Sequence, residues 1–135
     1  MKITRELIKI FIDWTKLKIR VHALDRPNVI FPKKKEIWWA SLGQNIGVEI
    51  NGKNDNFERP VLIIKVFNNE SVLVVPISST IKVSKYNINF INDRKENSVI
   101  ISQIKMVSTK RLLRLVAEME DFNFDKILVA IKKFF

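Results

Sequence analysis

Cysteine is absent from the sequence, and only three glycines, four prolines and one histidine occur among its 135 residues. The absence of cysteine excludes disulfide bonds and zinc sites built on thiolates. The single histidine, His22, excludes a catalytic histidine pair and argues against a histidine-based metal site. Any reaction that this chain catalyses must therefore rely on Arg, Lys, Ser, Thr and neutral or acidic oxygen groups.

Long hydrophobic runs are also absent. No apolar segment approaches the roughly 20 residues that span a bilayer, and the N-terminus interleaves Lys2, Arg5, Glu6 and Lys9 with apolar residues, unlike a signal peptide. The glycines match neither a P-loop nor a dinucleotide-binding spacing. A hydrophobic content of 47% with 28% charged residues is typical of a soluble globular domain. We expect a cytoplasmic protein with no membrane partner, no cofactor and no metal site.

Positive charge is in excess, with 24 Lys and Arg against 14 Asp and Glu, which gives a net charge of +10. Ten basic and three acidic residues lie in positions 1–35, so this segment carries +7 and the remainder +3. Such a balance favours an acidic partner, either a nucleic acid, an acidic protein tail or an anionic membrane surface. The alternative is a basic surface that only keeps the protein soluble.

Residues 3–24 carry apolar side chains at alternating spacings of four and three, which predicts an amphipathic helix. The predicted apolar seam comprises Ile3, Leu7, Ile10, Trp14, Leu17, Val21 and Leu24. Pro27 and Pro32 end the helix, because the residue before a proline disfavours the α conformation. We therefore predict a helix with its linker over residues 1–30 and a domain over residues 31–135. Packing of this helix on the domain, or on a second copy, is favoured over a helix lying on a membrane.

Several short strands follow, with little helix between them. Strands are predicted at 36–42, 60–67, 70–77, 87–92, 98–104 and 114–119. Ser108 is predicted to cap a short helix, and Asp121 or Asn123 to cap a C-terminal helix that runs over 123–135. The apolar face of that last helix comprises Phe124, Ile127, Leu128, Ile131 and Phe135. The pattern predicts a mainly β fold, a small barrel with an N-terminal helical extension and a C-terminal helix.

All three glycines, Gly43, Gly47 and Gly52, lie between the first two predicted strands. Because glycine gives the backbone freedom, this concentration predicts a long mobile loop, and such loops often carry function. The alternative is a connection that merely tolerates insertion.

The segment FERPVLIIKVFNNESVLVVPISST, residues 57–80, reads as a β-hairpin with an Asn-Asn turn. With the turn centred between Asn68 and Asn69, the numbers of paired residues sum to 137. Val66 then faces Ser71, and Val61 faces Pro76. At the open end Arg59 faces Ser78, or Ser79 if the sum is 138. Neither Pro60 nor Pro76 has an N–H, so we expect the hydrogen-bonded ladder to loosen there.

Arg59 and Ser78 form a candidate catalytic pair, because residues directly opposite in a hairpin have Cβ atoms about 5 Å apart. A guanidinium binds phosphate through two donors and stays charged at any working pH. A neighbouring hydroxyl can donate to a phosphate oxygen or relay a proton. Such a pair suits the anionic phosphorane formed when a ribose 2′-OH attacks its own phosphate. The alternative is an edge arginine beside a turn serine, with no catalytic role.

Four segments occur in an order and spacing that resemble the MazF/PemK family of toxin endoribonucleases. These segments are EIWWASLGQNIGVEINGK, FERPVLII, VVPISSTI and SVIISQIKMVSTKRL, and the similarity runs from about Lys35 to the C-terminus. The helical leader, with WTKLK ahead of EIWW, resembles a longer-leader branch of that family. The resemblance implies an SH3-like barrel, a homodimer, and metal-independent cleavage of single-stranded RNA at short sequences. The implied products carry a 2′,3′-cyclic phosphate and a 5′-hydroxyl.

The same resemblance implies roles for individual residues. The family's catalytic arginine falls on Arg59, and its catalytic threonine falls on Ser78, where serine keeps the hydroxyl. The RNA-holding loop corresponds to Gly43 through Glu58. The implied RNA contacts are Asn45, Glu49, Lys53, Ser79 and Gln103, the last of which either binds RNA or braces its strand.

The chain departs from some family members at Ile100 and Ser102, where those members carry an arginine and an acid. The group that removes the 2′-OH proton is therefore left open between Arg59, Ser78, a backbone amide and water. The implied partner is a cognate antitoxin, an acidic and partly disordered segment drawn to the basic groove. Two rival functions are a gyrase poison on the same barrel, acting through the C-terminal KKFF, and an RNA-binding module without catalysis.

Overall fold

The computed structural model describes residues 2–25 and 31–135, and within these it contains two α-helices and seven strands. The helices are Arg5–His22 (α1) and Asp121–Lys132 (α2), and the strands are Glu36–Ser41 (β1), Glu58–Asn68 (β2), Ser71–Ser78 (β3), Asn87–Asn92 (β4), Lys95–Ile100 (β5), Lys105–Ser108 (β6) and Leu112–Glu118 (β7). Single 3-10 turns at Ile101–Gln103 and Thr109–Arg111 flank β6.

The strands form one antiparallel sheet in the order β4-β5-β3-β2-β1-β7, with β6 paired to β3 outside this path. The mainly β fold with a helix at each end is confirmed. Closure into a barrel is not confirmed, because β4 and β7 each have a single neighbour among the described strands. The reason lies in β3, whose Ser71–Val74 half pairs with β6 while Ile77 and Ser78 pair with β5. The two halves of β3 therefore extend the sheet in different directions.

The central strands bury apolar side chains on both of their faces. Leu62 and Ile64 of β2 pack with α2, whose Phe124, Ile127 and Ile131 are buried against the sheet. The opposite face holds a second cluster: Trp38, Ala40, Leu42, Val61, Ile63, Val72, Val74, Val107 and Leu112. Residues two positions apart on a strand share a face. Arg59 therefore lies on the side of this second cluster.

Helix α1 begins after Thr4, whose hydroxyl accepts a hydrogen bond from the amide of Leu7 at 3.1 Å. It packs on the domain through its middle, because Trp14 is buried whereas Ile3 and Ile10 of the predicted seam are exposed. The helix ends at His22. Pro27 and the predicted domain boundary at residue 30 lie outside the described residues. Within the parts of the chain that are described, no helix is long and apolar enough to cross a membrane.

Three C-terminal expectations are wrong in detail. The strand predicted at 98–104 stops at Ile100, and a 3-10 turn leads into the unpredicted strand β6. Helix α2 starts after Glu120 without a side-chain cap, and the two predicted caps lie inside its first turn, where the Asp121 carboxylate pairs with Lys35 and Asn123 is buried. Phe135 is fully exposed, since the helix ends at Lys132 and no longer directs it towards the sheet.

Candidate functional site

The hairpin of β2 and β3 has the predicted register at its open half. Val61 pairs with Pro76 and Leu62 with Val75, so the paired numbers sum to 137 there. Nearer the turn two register shifts intervene, so that Val66 pairs with Val72 and not with Ser71 as predicted. These shifts are bulges, which add an unpaired residue to one strand.

The two strands separate beyond Val61 and Pro76, as the prolines predicted. The predicted pairing of Arg59 with Ser78 or Ser79 across the hairpin is wrong, because the β2–β3 register ends at Val61 and Pro76. Arg59 pairs with Ala40 of β1, and Ser78 pairs with Ser98 of β5. The Arg59 guanidinium crosses the resulting gap, and its Nη1 donates a hydrogen bond to the carbonyl of Ile77 at 3.4 Å. This contact brings the positive charge to the residue preceding Ser78. In the described chain, no hydrogen bond joins the Arg59 and Ser78 side chains directly.

The Arg59 side chain is half-buried and fixed at two points. Its Nε donates to the carbonyl of Asn51 at 2.8 Å, in addition to the contact with Ile77. Partial burial lowers the pKa of this guanidinium, but an arginine stays protonated throughout the physiological range. No hydrogen bond within the described residues engages Nη2. The group therefore presents a fixed charge with a donor available to an anion.

Ser78 is half-buried at the end of β3. Its Oγ accepts a hydrogen bond from the amide of Thr80 at 3.1 Å. This bond fixes the oxygen and leaves the hydroxyl proton to donate to another group. Ser79, the alternative partner in the predicted pairing, is exposed in the bend that follows.

The loop between β1 and β2, residues 42–57, is closed at its base by backbone hydrogen bonds. The amides of Leu42 and Gly43 both donate to the carbonyl of Phe57, at 2.8 and 3.1 Å. Gly52 donates to the carbonyl of Gly43 at 2.8 Å, which folds the loop back on itself. Predicted as a mobile connection, this loop is instead closed on itself by these hydrogen bonds.

Three of the predicted RNA contacts hold this loop together. Asn45 Nδ2 donates to the carbonyls of Leu42 and Ile50, and Glu49 accepts a hydrogen bond from the amide of Ile46 at 3.0 Å. Gln103 Oε1 accepts from the amide of Ile50 at 2.7 Å, and its Nε2 donates to the carbonyl of Val48 at 3.1 Å. Gln103 therefore ties the loop to the turn after β5. Lys53 is different, because its side chain is exposed near the loop tip.

Sequence reasoning missed two cations beside the loop. Desolvation and the charge of Arg111 lower the pKa of the Lys105 ammonium, whereas the Glu49 carboxylate raises it. Arg111 donates to the carbonyl of Ser41 at 3.0 Å, and burial lowers the pKa of its guanidinium. Both residues lie in the family-like segment SVIISQIKMVSTKRL, but their position beside the loop could not be predicted, since β6 itself was not predicted.

A basic and aromatic cleft lies between α2 and the start of β4, and it was also missed. It encloses about 970 Å³ and is lined by Lys85, Tyr86, Lys126, Lys133 and Phe134, among others. The Tyr86 and Phe134 rings are 5.4 Å apart. Strands bring these residues together from positions some 50 apart in the chain, so local sequence patterns give no sign of the cleft.

Among the described residues, no group of three or more His, Asp or Glu side chains is placed to hold a metal ion.

These features define a mainly β domain with an open antiparallel sheet and a fixed arginine where two strands separate. Residues 33–135 match the family model described as the PemK-like, MazF-like toxin of type II toxin–antitoxin systems. The chain belongs to this MazF/PemK family, which confirms the resemblance found in the sequence. No curated protein matches the sequence.

The solved structures with a similar fold include two that illustrate the likeness. An endoribonuclease in complex with its cognate antitoxin, from mycobacterial species, aligns with a TM-score of 0.61 at 15% identity, covering 76% of this chain and 93% of the other. MazF from Deinococcus radiodurans aligns with a TM-score of 0.67 at 14% identity, covering 78% and 97%. At such identities the likeness concerns the fold alone.

Proposed function

We propose that this protein is the toxin of a type II toxin–antitoxin system and an endoribonuclease that cleaves single-stranded RNA selectively by sequence, without a metal ion. The observation that carries the proposal is the Arg59 guanidinium. Its Nε donates a hydrogen bond to the carbonyl of Asn51, and its Nη1 donates to the carbonyl of Ile77, the residue before Ser78. Its Nη2 takes part in neither bond. A fixed positive charge next to a hydroxyl can stabilise the negative charge that develops on a phosphate during phosphoryl transfer without a metal.

The proposed reaction is an internal transfer at one phosphate. The ribose 2′-oxygen forms a bond to phosphorus and loses its proton, while the bond from phosphorus to the 5′-oxygen breaks and that oxygen gains a proton. The products are a 2′,3′-cyclic phosphate and a 5′-hydroxyl. Arg59 stabilises the added negative charge on the phosphate oxygens. The Ser78 hydroxyl donates a hydrogen bond to the same phosphate, because its oxygen is already held by the amide of Thr80.

Sequence selection is proposed to come from the loop and from Ser79. Lys53 and Ser79 are exposed and contact RNA directly, since unstacked bases and phosphates in single strands are open to such groups. Asn45, Glu49 and Gln103 act by fixing the shape of the loop, through the hydrogen bonds that they make within it.

The proposed partners follow from charge and family membership. A net charge of +10 attracts an acidic, partly disordered antitoxin segment, which covers the site and excludes RNA. We further propose that the protein acts in the cytoplasm as a homodimer. Residues 1–30 form a helical leader with its linker, appended to a domain over residues 31–135.

The test is digestion of a long mixed RNA by the purified protein in EDTA, with the fragment ends mapped. We expect discrete fragments that end in cyclic phosphate. The Arg59→Ala variant should lose at least about a hundredfold in rate, or roughly 3 kcal/mol of transition-state stabilisation. The matched control is Arg94→Ala in the exposed turn between β4 and β5, which removes the same charge and should cut normally.

Other outcomes identify the rival functions. Intact RNA together with trapped gyrase–DNA complexes would assign the protein as a gyrase poison, which the fully exposed Phe135 at the C-terminus would suit. Retarded but intact RNA would assign a binding module. Normal cutting by Arg59→Ala would remove this arginine from the mechanism.

A further inference from the structure

We propose that the leader helix α1 acts as a clamp on the active-site loop, and that Trp14 is a positioning residue for Arg59. This inference rests on the proposed function, because it concerns the same arginine. It adds a role for a segment that lies outside the matched family region of residues 33–135.

The contact between α1 and the loop is close. Trp14 is 6% exposed, and its indole ring lies directly on Gly43. A Cβ atom at position 43 would come within 2.2 Å of Trp14 Cε2 and 2.3 Å of Cζ2. Gly43 also has a φ of +90°, a backbone angle that residues with a side chain rarely adopt. Only glycine therefore fits beneath the indole at position 43, close to the start of the loop.

The same indole contacts the other end of the loop. The Trp14 and Phe57 ring centroids are 5.6 Å apart, and the Arg111 guanidinium lies 5.9 Å from the Trp14 ring. Arg111 in turn donates to the carbonyls of Ser41 and Leu42 at the end of β1. One side chain of the leader is thus packed against both ends of the loop, and against the arginine that fixes the preceding strand.

A short path leads from this contact to the candidate catalytic arginine. The carbonyl of Gly43 accepts a hydrogen bond from Gly52, whose neighbour Asn51 holds Arg59 Nε at 2.8 Å. Phe57 is two residues before Arg59 in the chain. A Cβ atom on Gly52 would lie 1.7 Å from the carbonyl oxygen of Phe57, so the two sides of the loop are in direct contact there. A shift of Gly43 and Phe57 therefore moves the carbonyl that orients the guanidinium.

A second attachment fixes the far end of the helix. Lys110 Nζ donates to the carbonyl of His22 at 2.6 Å, in the last turn of α1. Lys110 and Arg111 both belong to the 3-10 turn at Thr109–Arg111, so one short element holds the helix both at Trp14 and at its C-terminal end. The leader is docked in one defined position.

The test compares Trp14→Ala and Trp14→Phe with the matched control Ile19→Ala, which truncates an exposed apolar side chain of the same helix. We expect Trp14→Ala to lower kcat between about 10- and 100-fold, because small misplacements of a catalytic group have effects of that size. The KM for RNA should change by a smaller factor than kcat, because Ser79 lies outside the loosened loop and Lys53 is the one proposed direct RNA contact within it. Trp14→Phe should restore most of the activity, and Ile19→Ala should match the wild type.

A readout that does not involve RNA separates this inference from the proposed function. Hydrogen exchange in a peptide covering residues 43–57 should become faster in Trp14→Ala and stay unchanged in Ile19→Ala. Unchanged exchange in Trp14→Ala would overturn the clamp. Faster exchange with an unchanged kcat would show that the clamp does not position Arg59, which also overturns the inference. If the wild type cuts no RNA, the proposed function fails, and the exchange result alone then decides whether the clamp exists.

Discussion

At the scale of single residues, the site depends on how each group is oriented. Arg59 is held by two carbonyl groups from different segments, Asn51 and Ile77, and a lysine could not make both contacts while offering a further planar donor. Ser78 has its oxygen fixed by Thr80. In the proposed mechanism the two side chains act on one phosphate, and no hydrogen bond within the described residues joins them.

The Ser78 hydroxyl is tested by a pair of substitutions. Ser78→Thr should change the cleavage rate little, because threonine keeps the hydroxyl and is restricted in its rotamers. Ser78→Ala should lower kcat by about 10-fold or more, because it removes a donor to the phosphate. Rates are measured under single-turnover conditions, so that product release does not mask the chemical step. Equal activity of both variants and the wild type would exclude a role for the serine.

At the scale of elements, an exposed ion pair joins the start of the sheet to α2. The Lys35 ammonium pairs with the Asp121 carboxylate in the first turn of the helix. The hydrogen bond to Lys35 lowers the pKa of Asp121, and the same bond raises the pKa of Lys35. The negative charge also suits the N-terminal end of the helix dipole.

This pair predicts a pH dependence of stability with a definite sign. Because the folded-state pKa of Asp121 is depressed, its contribution is present above its unfolded pKa of about 3.9 and is lost as the pH falls through the folded value. Asp121→Asn should therefore flatten the decline in stability below about pH 4. The measurement is the urea midpoint between about pH 3 and 6. Asp93→Asn, in an exposed turn, should retain the wild-type profile.

Local sequence patterns predicted the helices and strands better than they predicted the contacts between them. Strand β4 has the predicted bounds because Asn87–Asn92 alternates polar and apolar residues. The register at Val61 and Pro76 followed from the turn position, yet the bulges near the turn had no sequence signal. For the candidate site, the hairpin pattern was enough to single out Arg59 and Ser78, whose catalytic role stays a prediction. The contacts of Trp14 and Gln103 with the loop could not be predicted, because the loop is distant from both residues in the sequence.

At the scale of the whole molecule, the charge is uneven. Positions 1–35 carry +7 of the total +10, so much of the positive field originates from the leader and its flanks. Such a field speeds the approach of an anionic strand, whereas the strength of binding depends on individual phosphate contacts. These two effects can be separated by substitutions that remove equal charge at different places.

The salt dependence of RNA binding distinguishes the overall positive field from individual phosphate contacts. For an RNA that carries a 2′-deoxy group at the cleavage site, binding should weaken as salt rises, with a logarithmic slope near −0.7 for each phosphate contacted. Lys53→Ala should reduce the magnitude of that slope by about 0.7, because Lys53 is proposed to contact a phosphate. Lys9→Ala removes the same charge from a residue paired with Asp13 on α1, and should leave the slope unchanged. Equal slopes for both variants would mean that Lys53 makes no such contact.

The separation of β2 and β3 beyond Val61 and Pro76 has a consequence for how the sequence of this protein can vary. Arg59 is anchored through Ala40 on one neighbouring strand and Ser78 through Ser98 on another. Substitutions in β1 therefore act first on Arg59 and substitutions in β5 act first on Ser78, while the hydrogen bond from Arg59 to Ile77 still joins the two halves of the candidate site. Related chains can thus differ in one half by small steps, as long as each step keeps that hydrogen bond.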